Sequence, residues 1–519
     1  MAASAEPHVL HAAKGIGYLT AGGGVGQVVR FVTAILLARA LGADGLGQYM
    51  LALTVAGLCS SLAALGLDDA MVRYLAIQAR EGNRSAVAGT LQIGVGISTL
   101  VGTITGVGLF VAAGAVADRV FDAPELVPVL RAFGVIVPFM TLSNALLGVA
   151  RGSKRMDVAA LAEEVVQSLV RLALILPLLF LGLEPVAAAV VFGVGDVASS
   201  LTMVALLRRQ LPLRAAFGRG VRRDVRGLVG FAGPLWLAGA LRKFRQNIET
   251  LLLGSLTAVA SVGIFSVAAK VNLVGHTVYS AIITSVKPHL AELHGSRDRE
   301  GLRHLYRTTT RWALLFGLPF CLVTVLYAEP ILAVFGDSFT AGTTALVVLA
   351  AGELVNAATG VCGSVLDMAR RTGAKLVNAV LWLVLILGAN LLLIPRWGVL
   401  GAAVASVLAS SLINVLRIVQ VWVLERVHPY DRTFLKPAAA GVGAFAFGAA
   451  VARVWSPADH PLVLAVQAGL VVAVYALLVV LLRPEAEDAM VAGRVWGRVR
   501  RLPGQLGRSL RPARAAERV

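Results

Sequence analysis

Fourteen stretches of about 18 or more mainly apolar residues recur along the chain, and that recurrence constrains the fold more than any other feature. They fall near residues 17–40, 47–66, 87–115, 128–149, 159–182, 185–207 and 228–254. A second series follows near 260–283, 312–335, 343–366, 375–395, 398–423, 437–454 and 461–482. A helix that crosses a bilayer needs about 20 such residues, so fourteen crossings occupy roughly 280 positions. The remainder of a 519-residue chain is then short loops and tails, with no room for a separate soluble domain. The content of 57% hydrophobic and 15% charged residues excludes a water-soluble assembly of several domains. The expectation is an all-α polytopic membrane protein.

Charge gives the orientation. Lys and Arg total 47 against 29 Asp and Glu, and most of the cations gather on alternate connections and on the C-terminal tail. The opposite side has only Arg39, Arg119, Arg131, Arg396 and Arg453. Basic connections stay on the cytoplasmic side, which places both termini in the cytoplasm and explains the net charge of +18 without nucleic acid. No aromatic interleaving or RNA-binding motif accompanies the arginines. The N-terminus has no short apolar region followed by a small-residue cleavage site, so it is expected to be retained.

The chain repeats itself. LLARALGADGLGQYMLAL (36–53) aligns with LLGSLTAVASVGIFSVAA (252–269) at a constant offset of 216, pairing Gly47 with Gly263 and Tyr49 with Phe265. VRYLA (72–76) then meets VKPHLA (286–291) after one gap. Six spans separate the copies, so they share an orientation. Two parallel lobes around a central cavity are the architecture this implies: 1–210 (spans 1–6), 211–430 (spans 7–12), two additional helices in 431–482 and a basic cytoplasmic tail in 483–519.

Charged side chains within spans are expensive, at least about 2.5–3.5 kcal/mol each at the bilayer centre, and so face protein or a water-filled cavity. Arg30 lies in the first span; Arg242, Lys243, Arg245 and Glu249 lie in the seventh. Arg242, Arg245 and Glu249 share one helical face. The offset of 216 carries Arg30 to position 246, beside Arg245, so each half offers a guanidinium at a similar depth. Lys270, His276 and Arg171 could join the same field. A cationic cavity suits an anionic ligand such as a diphosphate, which guanidinium binds bidentately. The other reading is that these cations pair with Glu163, Glu164, Asp196, Glu249 or Glu353 and hold helices together. Those carboxylates have a second reading of their own, as proton- or sodium-binding groups for coupling.

Gly22–Gly24 and Gly233-Pro234 lie in the two helices that carry the arginines, where they serve either bending or close packing. In the tail, Arg494, Arg498 and Arg501 share a face, with Val495, Trp496, Val499 and Leu502 available to rest on lipid. Cys59, Cys321 and Cys362 lie in apolar stretches without metal-ligand spacing, so neither a metal nor another cofactor is expected.

Three stretches carry a resemblance: LLARALGADGLGQYMLALTVAGLCSSLAALGLDDAMVRYLA (36–76), SVGIFSVAAKV (261–271) and IPRWGVLGAAVASVLASSLINVLRI (394–418). Together with the fourteen-span layout they resemble the Wzx-type polysaccharide flippases of the multidrug, oligosaccharidyl-lipid and polysaccharide exporter superfamily. The resemblance implies two six-helix lobes with a V-shaped cavity, two extra C-terminal helices, and transfer of undecaprenyl-diphosphate-linked glycan from the inner to the outer leaflet of a bacterial cytoplasmic membrane. Its implied partners are that lipid-linked glycan, membrane lipid, and the glycan polymerase and glycosyltransferases of the same pathway. Family members carry cavity cations, a description that Arg30, Arg242 and Arg245 fill by position. Lipid II flippases share the layout and remain an alternative. Drug exporters of the superfamily have twelve spans and acidic cavities, and a membrane-embedded glycan polymerase or ligase needs a larger external loop than the dozen residues around Asp118–Glu125. A transporter, not an enzyme, is therefore expected.

Overall fold

A computed structural model describes residues 6–208, 224–296, 298–368, 372–455 and 461–482, with side chains described from Gly26 onward. Every regular element among them is helical, as it must be where the bilayer offers no partner for an open backbone N–H or C=O. The main helices are α1 (Glu6–Ala63), α2 (Leu67–Arg80), α3 (Arg84–Val120), α4 (Val127–Gly152), α5 (Met156–Leu181), α6 (Pro185–Leu207) and α7 (Val225–Leu256). They are followed by α8 (Val259–Gly295), α9 (Arg299–Leu326), α10 (Thr343–Thr359), α11 (Thr372–Glu425), α12 (Leu435–Val454) and α13 (Pro461–Leu481). The tail, with its basic face of Arg494, Arg498 and Arg501, lies outside the described residues.

Eleven helical segments among the described residues are long and apolar enough to cross a membrane. Two of them are double. In α1 the backbone turns at Gly42 (φ 64°), and in α11 at Gly398 (φ 53°), three residues after Pro395. Only glycine takes that left-handed conformation without a steric penalty, so each long helix becomes two arms. The 32 residues of α7 reach about 48 Å, but their central cations interrupt the apolar run. With the two double helices and α7 counted, the described helices accommodate about fourteen spans.

Helix starts are written locally. Asn83, Asp224 and Asp298 cap α3, α7 and α9, accepting from the backbone N–H of Ala86, Gly227 and Gly301 at 3.0, 2.9 and 2.9 Å. Such caps satisfy donors that have no partner in the first helical turn. In α5 the stretch Leu161–Val166 is a π-helix. It holds Glu163 and Glu164, and π segments often mark functional positions.

The chain forms two compact units. One comprises the described residues of 1–270, 331–345 and 383–406; the other comprises those of 271–330, 346–382 and 407–519. Met71, Leu75, Val149, Val158, Ala162 and Met203 form a core of the first unit, joining α2, α4, α5 and α6. In the second unit, α13 docks on α9 through Tyr475, whose hydroxyl donates to the Leu315 carbonyl at 3.1 Å. A polar chain also runs through it. Arg417 donates to Asn414, Asn414 to Asn356 and Asn356 to Glu353, at 3.3, 2.7 and 3.1 Å, and Glu353 pairs with His276 Nδ1 at 3.2 Å.

Candidate functional site

Along α7, residues Leu235, Trp236, Gly239, Arg242 and Lys243 form one stripe, at spacings of one, four, seven and eight. That is the face of a helix. The stripe walls a cavity of about 360 Å³ in the first unit. α1 supplies the adjoining wall, with Gly57 against the Lys243 side chain and Leu62 accepting the Trp236 indole N–H at 2.9 Å. The indole is thereby held by its edge. Glu163, Gln167 and Arg171 of α5, Phe192 and Asp196 of α6, and Asn144 of α4 complete the interior.

Arg171 and Asp196 are the buried pair of this cavity. They approach at 3.5 Å, while Gln167 donates to the same Asp196 Oδ1 at 2.6 Å. The Arg171 guanidinium lies 3.8 Å from the centre of the Phe192 ring, a cation–π contact. Asp196 is only 5% exposed. Its Oδ2 and the Nε of Arg171 have no hydrogen-bond partner among the described residues, so each retains binding capacity that a ligand or water can fill. The side chains of Arg242 and Lys243 make no hydrogen bond or ion pair with any described residue, although the Lys243 carbonyl accepts from Asn247 Nδ2 at 2.8 Å.

Arg171 and Phe192 also line a second, smaller cavity of about 140 Å³, together with Arg30, Lys270, Tyr49 and Thr33. No carboxylate is among its lining residues. Arg30 does pair with Glu164, whose Oε2 lies 2.5 Å from the guanidinium. Arg171 is thus the common wall between a mixed-charge chamber and a cationic one.

The six cations and five carboxylates expected from the sequence are therefore distributed unevenly. Arg171, Arg242, Lys243, Glu163 and Asp196 meet in the larger cavity, and Arg30 and Lys270 meet Arg171 in the smaller. Arg245 lines neither. Glu249 accepts from Ser406 Oγ at 2.8 Å away from both, and Glu353 belongs to the polar chain of the second unit. The stripe that faces the cavity is thus rotated from the Arg242–Arg245–Glu249 face. Cations do not outnumber acids around the larger cavity, because Asp68 and Asp69 join Glu163 and Asp196 against Arg171, Arg242 and Lys243.

Asp68, Asp69, Asn144, Gln167 and Trp236 are the lining residues that sequence reasoning missed. In the sequence the Asp pair is an acidic dipeptide in an otherwise basic connection, with nothing to mark it as cavity lining. Both residues lie in the first turn of α2 beyond the second span. Burial, reinforced by the neighbouring Asp69, pushes the Asp68 carboxyl above the ordinary range, against the pull of backbone hydrogen bonds and Arg151. The loop before them packs on α7, with Gly66 against the backbone of Ala232 and Trp236.

Two family models match the chain: one described as polysaccharide biosynthesis protein, over residues 12–294, and one described as MatE, over residues 234–394. Among curated proteins, Stage V sporulation protein B of Bacillus subtilis is 24% identical over 430 residues, covering 78% of this chain and 82% of its own. The probable flippase AglR of Haloferax volcanii is 26% identical over 411 residues, covering 75% and 79%. Among solved structures, an inward closed lipid II flippase MurJ aligns with a TM-score of 0.69 at 12% identity, over 89% of this chain and 97% of that one. An inward-facing multidrug resistance MATE family transporter aligns at 0.64 and 17% identity, over 79% and 98%. These likenesses establish the fold as that of a multi-pass membrane transporter.

Proposed function

As the chain belongs to the polysaccharide biosynthesis protein family, we propose that it is a flippase moving an undecaprenyl-diphosphate-linked oligosaccharide from the inner to the outer leaflet of the cytoplasmic membrane by alternating access. The observation that carries this reading is the pair Arg242 and Lys243, two cations within a membrane-spanning helix that no described residue neutralises and that line a cavity. Unpaired cations at such a depth are costly unless water or an anionic ligand takes up the charge. The flippase title of the Haloferax relative agrees with this reading.

In this mechanism the diphosphate enters from the cytoplasmic side and is bound by Arg242, Lys243 and Arg171, while the polyprenyl chain stays in lipid. Guanidinium groups suit this role because they remain charged and present forked donors to phosphate oxygens. The cationic chamber of Arg30 and Lys270 lies next, beyond Arg171, and receives the diphosphate as the lobes rock. Asp196 is the carboxylate we assign to coupling. While it holds Arg171 the guanidinium is partly occupied; a proton or cation on Asp196 frees Arg171 for phosphate. Both termini are cytoplasmic, and the partners are the lipid-linked glycan and the glycosyltransferases and polymerase that make and consume it.

The test is translocation of a defined polyprenyl-diphosphate oligosaccharide in proteoliposomes by wild type, Arg30→Ala and Arg242→Ala/Lys243→Ala, at matched insertion. Wild type should move the lipid and the double variant should not. Equal rates would make the cations structural. Transport of organic cations alone would replace the flippase with an exporter, a reading to which the four cavity carboxylates lend themselves.

A further inference from the structure

Trp236 and Lys243 are seven positions apart on the cavity stripe of α7, about 10 Å along the helix. The two ends of that stripe differ in chemistry. Lys243 has Arg242 beside it and shares the cavity with Arg171; Trp236 packs against the Gly66 loop that leads into the Asp68–Asp69 turn. The indole N–H is already committed to the Leu62 carbonyl, so the ring offers the cavity an apolar surface. Asn144 and Gln167 bring amide groups to the same chamber, and the buried Asp196 Oδ2 has no hydrogen-bond partner among the described residues. An aromatic surface with carboxylate and amide acceptors is the chemistry of sugar recognition: the C–H face of a pyranose packs on the ring while its hydroxyls donate to the oxygens. Neither a diphosphate nor a lipid tail requires it.

We propose that the Trp236 end of this cavity, between the indole, Asp68–Asp69 and Asn144, is a subsite for the sugar next to the diphosphate, and that it selects an uncharged sugar against a uronic acid. The proposal rests on the flippase reading above. It follows from placement: the first sugar is bonded directly to the second phosphate, so with the diphosphate at Arg242 and Lys243 the sugar falls within the roughly 10 Å of stripe that ends at Trp236. A hydroxyl there donates to Asp69, which is favourable, and hydrogen bonds to charged acceptors are the stronger kind. A C6 carboxylate at the same place meets two carboxylates, while Arg151, the cation that acts on Asp68, is not among the lining residues, and like-charge juxtaposition rejects a ligand strongly.

The experiment uses the full-length chain in proteoliposomes and two polyprenyl-diphosphate disaccharides that differ only in the first sugar, a neutral hexose in one and the corresponding hexuronate in the other. Wild type should translocate the neutral substrate at least about tenfold faster, the factor that a 1.4 kcal/mol difference gives. Trp236→Ala should lower the neutral rate about tenfold, and Trp236→Phe, which keeps an aromatic face, should restore most of it. Asp69→Asn, which keeps an acceptor oxygen but not its charge, should lower the neutral rate and narrow the preference for the neutral sugar at least about threefold. Equal wild-type rates for the two substrates would overturn the subsite while leaving the flippase reading intact. So would a Trp236→Ala variant that is inserted to the same level and keeps the wild-type rate. If wild type moves neither substrate, the flippase reading fails and the subsite falls with it.

Discussion

Gly47 and Gly263 face each other's helix at a single crossing of α1 and α8. A methyl group at Gly47 would run into the Val259 carbonyl, and one at Gly263 into the Ala43 carbonyl. Positions 43 and 259 are separated by 216 residues, as are 47 and 263. The contact is therefore its own counterpart under the internal repeat, as at a two-fold interface where residue i meets j and j meets i. Two repeat copies meet here, and only glycine permits the approach.

Gly47→Ala and Gly263→Ala are each expected to destabilise the protein, by about 1–3 kcal/mol, since backbone carbonyls cannot swing aside as a side chain can. Thermal unfolding in detergent followed by intrinsic fluorescence reads the loss. Gly96→Ala and Gly108→Ala, whose added methyl groups meet nothing within 4 Å, should melt with wild type.

Arg171 and Arg242 should separate stability from transport. Removing Arg171 leaves Asp196, 5% exposed, without its cation, and such a stranded buried charge costs about 3–5 kcal/mol. Arg242 has no partner to strand, so Arg242→Ala should melt within about 0.5 kcal/mol of wild type. Its translocation rate should nonetheless fall at least about tenfold. A melt of Arg242→Ala well below wild type would assign that residue to packing.

The connection between α11 and α12 should respond to acid. Burial resists ionisation of Asp431, but it accepts from Thr433 Oγ1 and from the backbone N–H of Thr433 and Phe434 at 2.5, 2.9 and 3.1 Å, with Arg311 also near. The hydrogen bonds prevail and hold its carboxyl below the ordinary range. A depressed folded-state value stabilises above the unfolded one, about 3.9, and that contribution is lost as pH falls through the folded value. Asp431→Asn should therefore melt below wild type at pH 7, with the gap closing only below about pH 4. A gap unchanged at pH 3 would show that its ionisation contributes nothing.

Asn378 of α11 and Gln420, further along the same helix, exchange two amide hydrogen bonds of 2.7 and 2.9 Å. Asn378 is buried among segments that expose Leu376 and Val377. Asn378→Leu alone strands the Gln420 amide and should cost about 1 kcal/mol, in line with hydrogen bonds between membrane helices. Asn378→Leu/Gln420→Leu should recover most of it, since both polar groups are then gone. A double variant less stable than the single one would mean that the pair is held by shape.

The division between what was legible and what was not follows particular residues. Arg242 and Lys243 were recognisable because a cation inside an apolar run is conspicuous wherever the helix points. That Lys243 lines the cavity and Arg245 does not depends on the rotation of α7, which Trp236 fixes by donating to Leu62, 174 positions away. Trp236 itself resembled an ordinary span residue, and Asp68 and Asp69 an ordinary helix start. Their shared role exists only because the Gly66 loop packs on α7.

The sequence by itself determined the membrane setting and the all-helical run of about fourteen apolar segments, because transfer into lipid adds up residue by residue along each helix and needs no knowledge of neighbours. The kinks were nearly as local, being set by Gly42 and by Gly398 after Pro395. Only the tertiary structure decided which charges meet. Arg30 finds Glu164, Arg171 finds Asp196, and Arg242 and Lys243 find no described partner. Pairing across helices is settled by rotation, depth and crossing angle, which arise from the packing of every side chain at once, and a helical face is rotated out of the site by a shift of one or two residues.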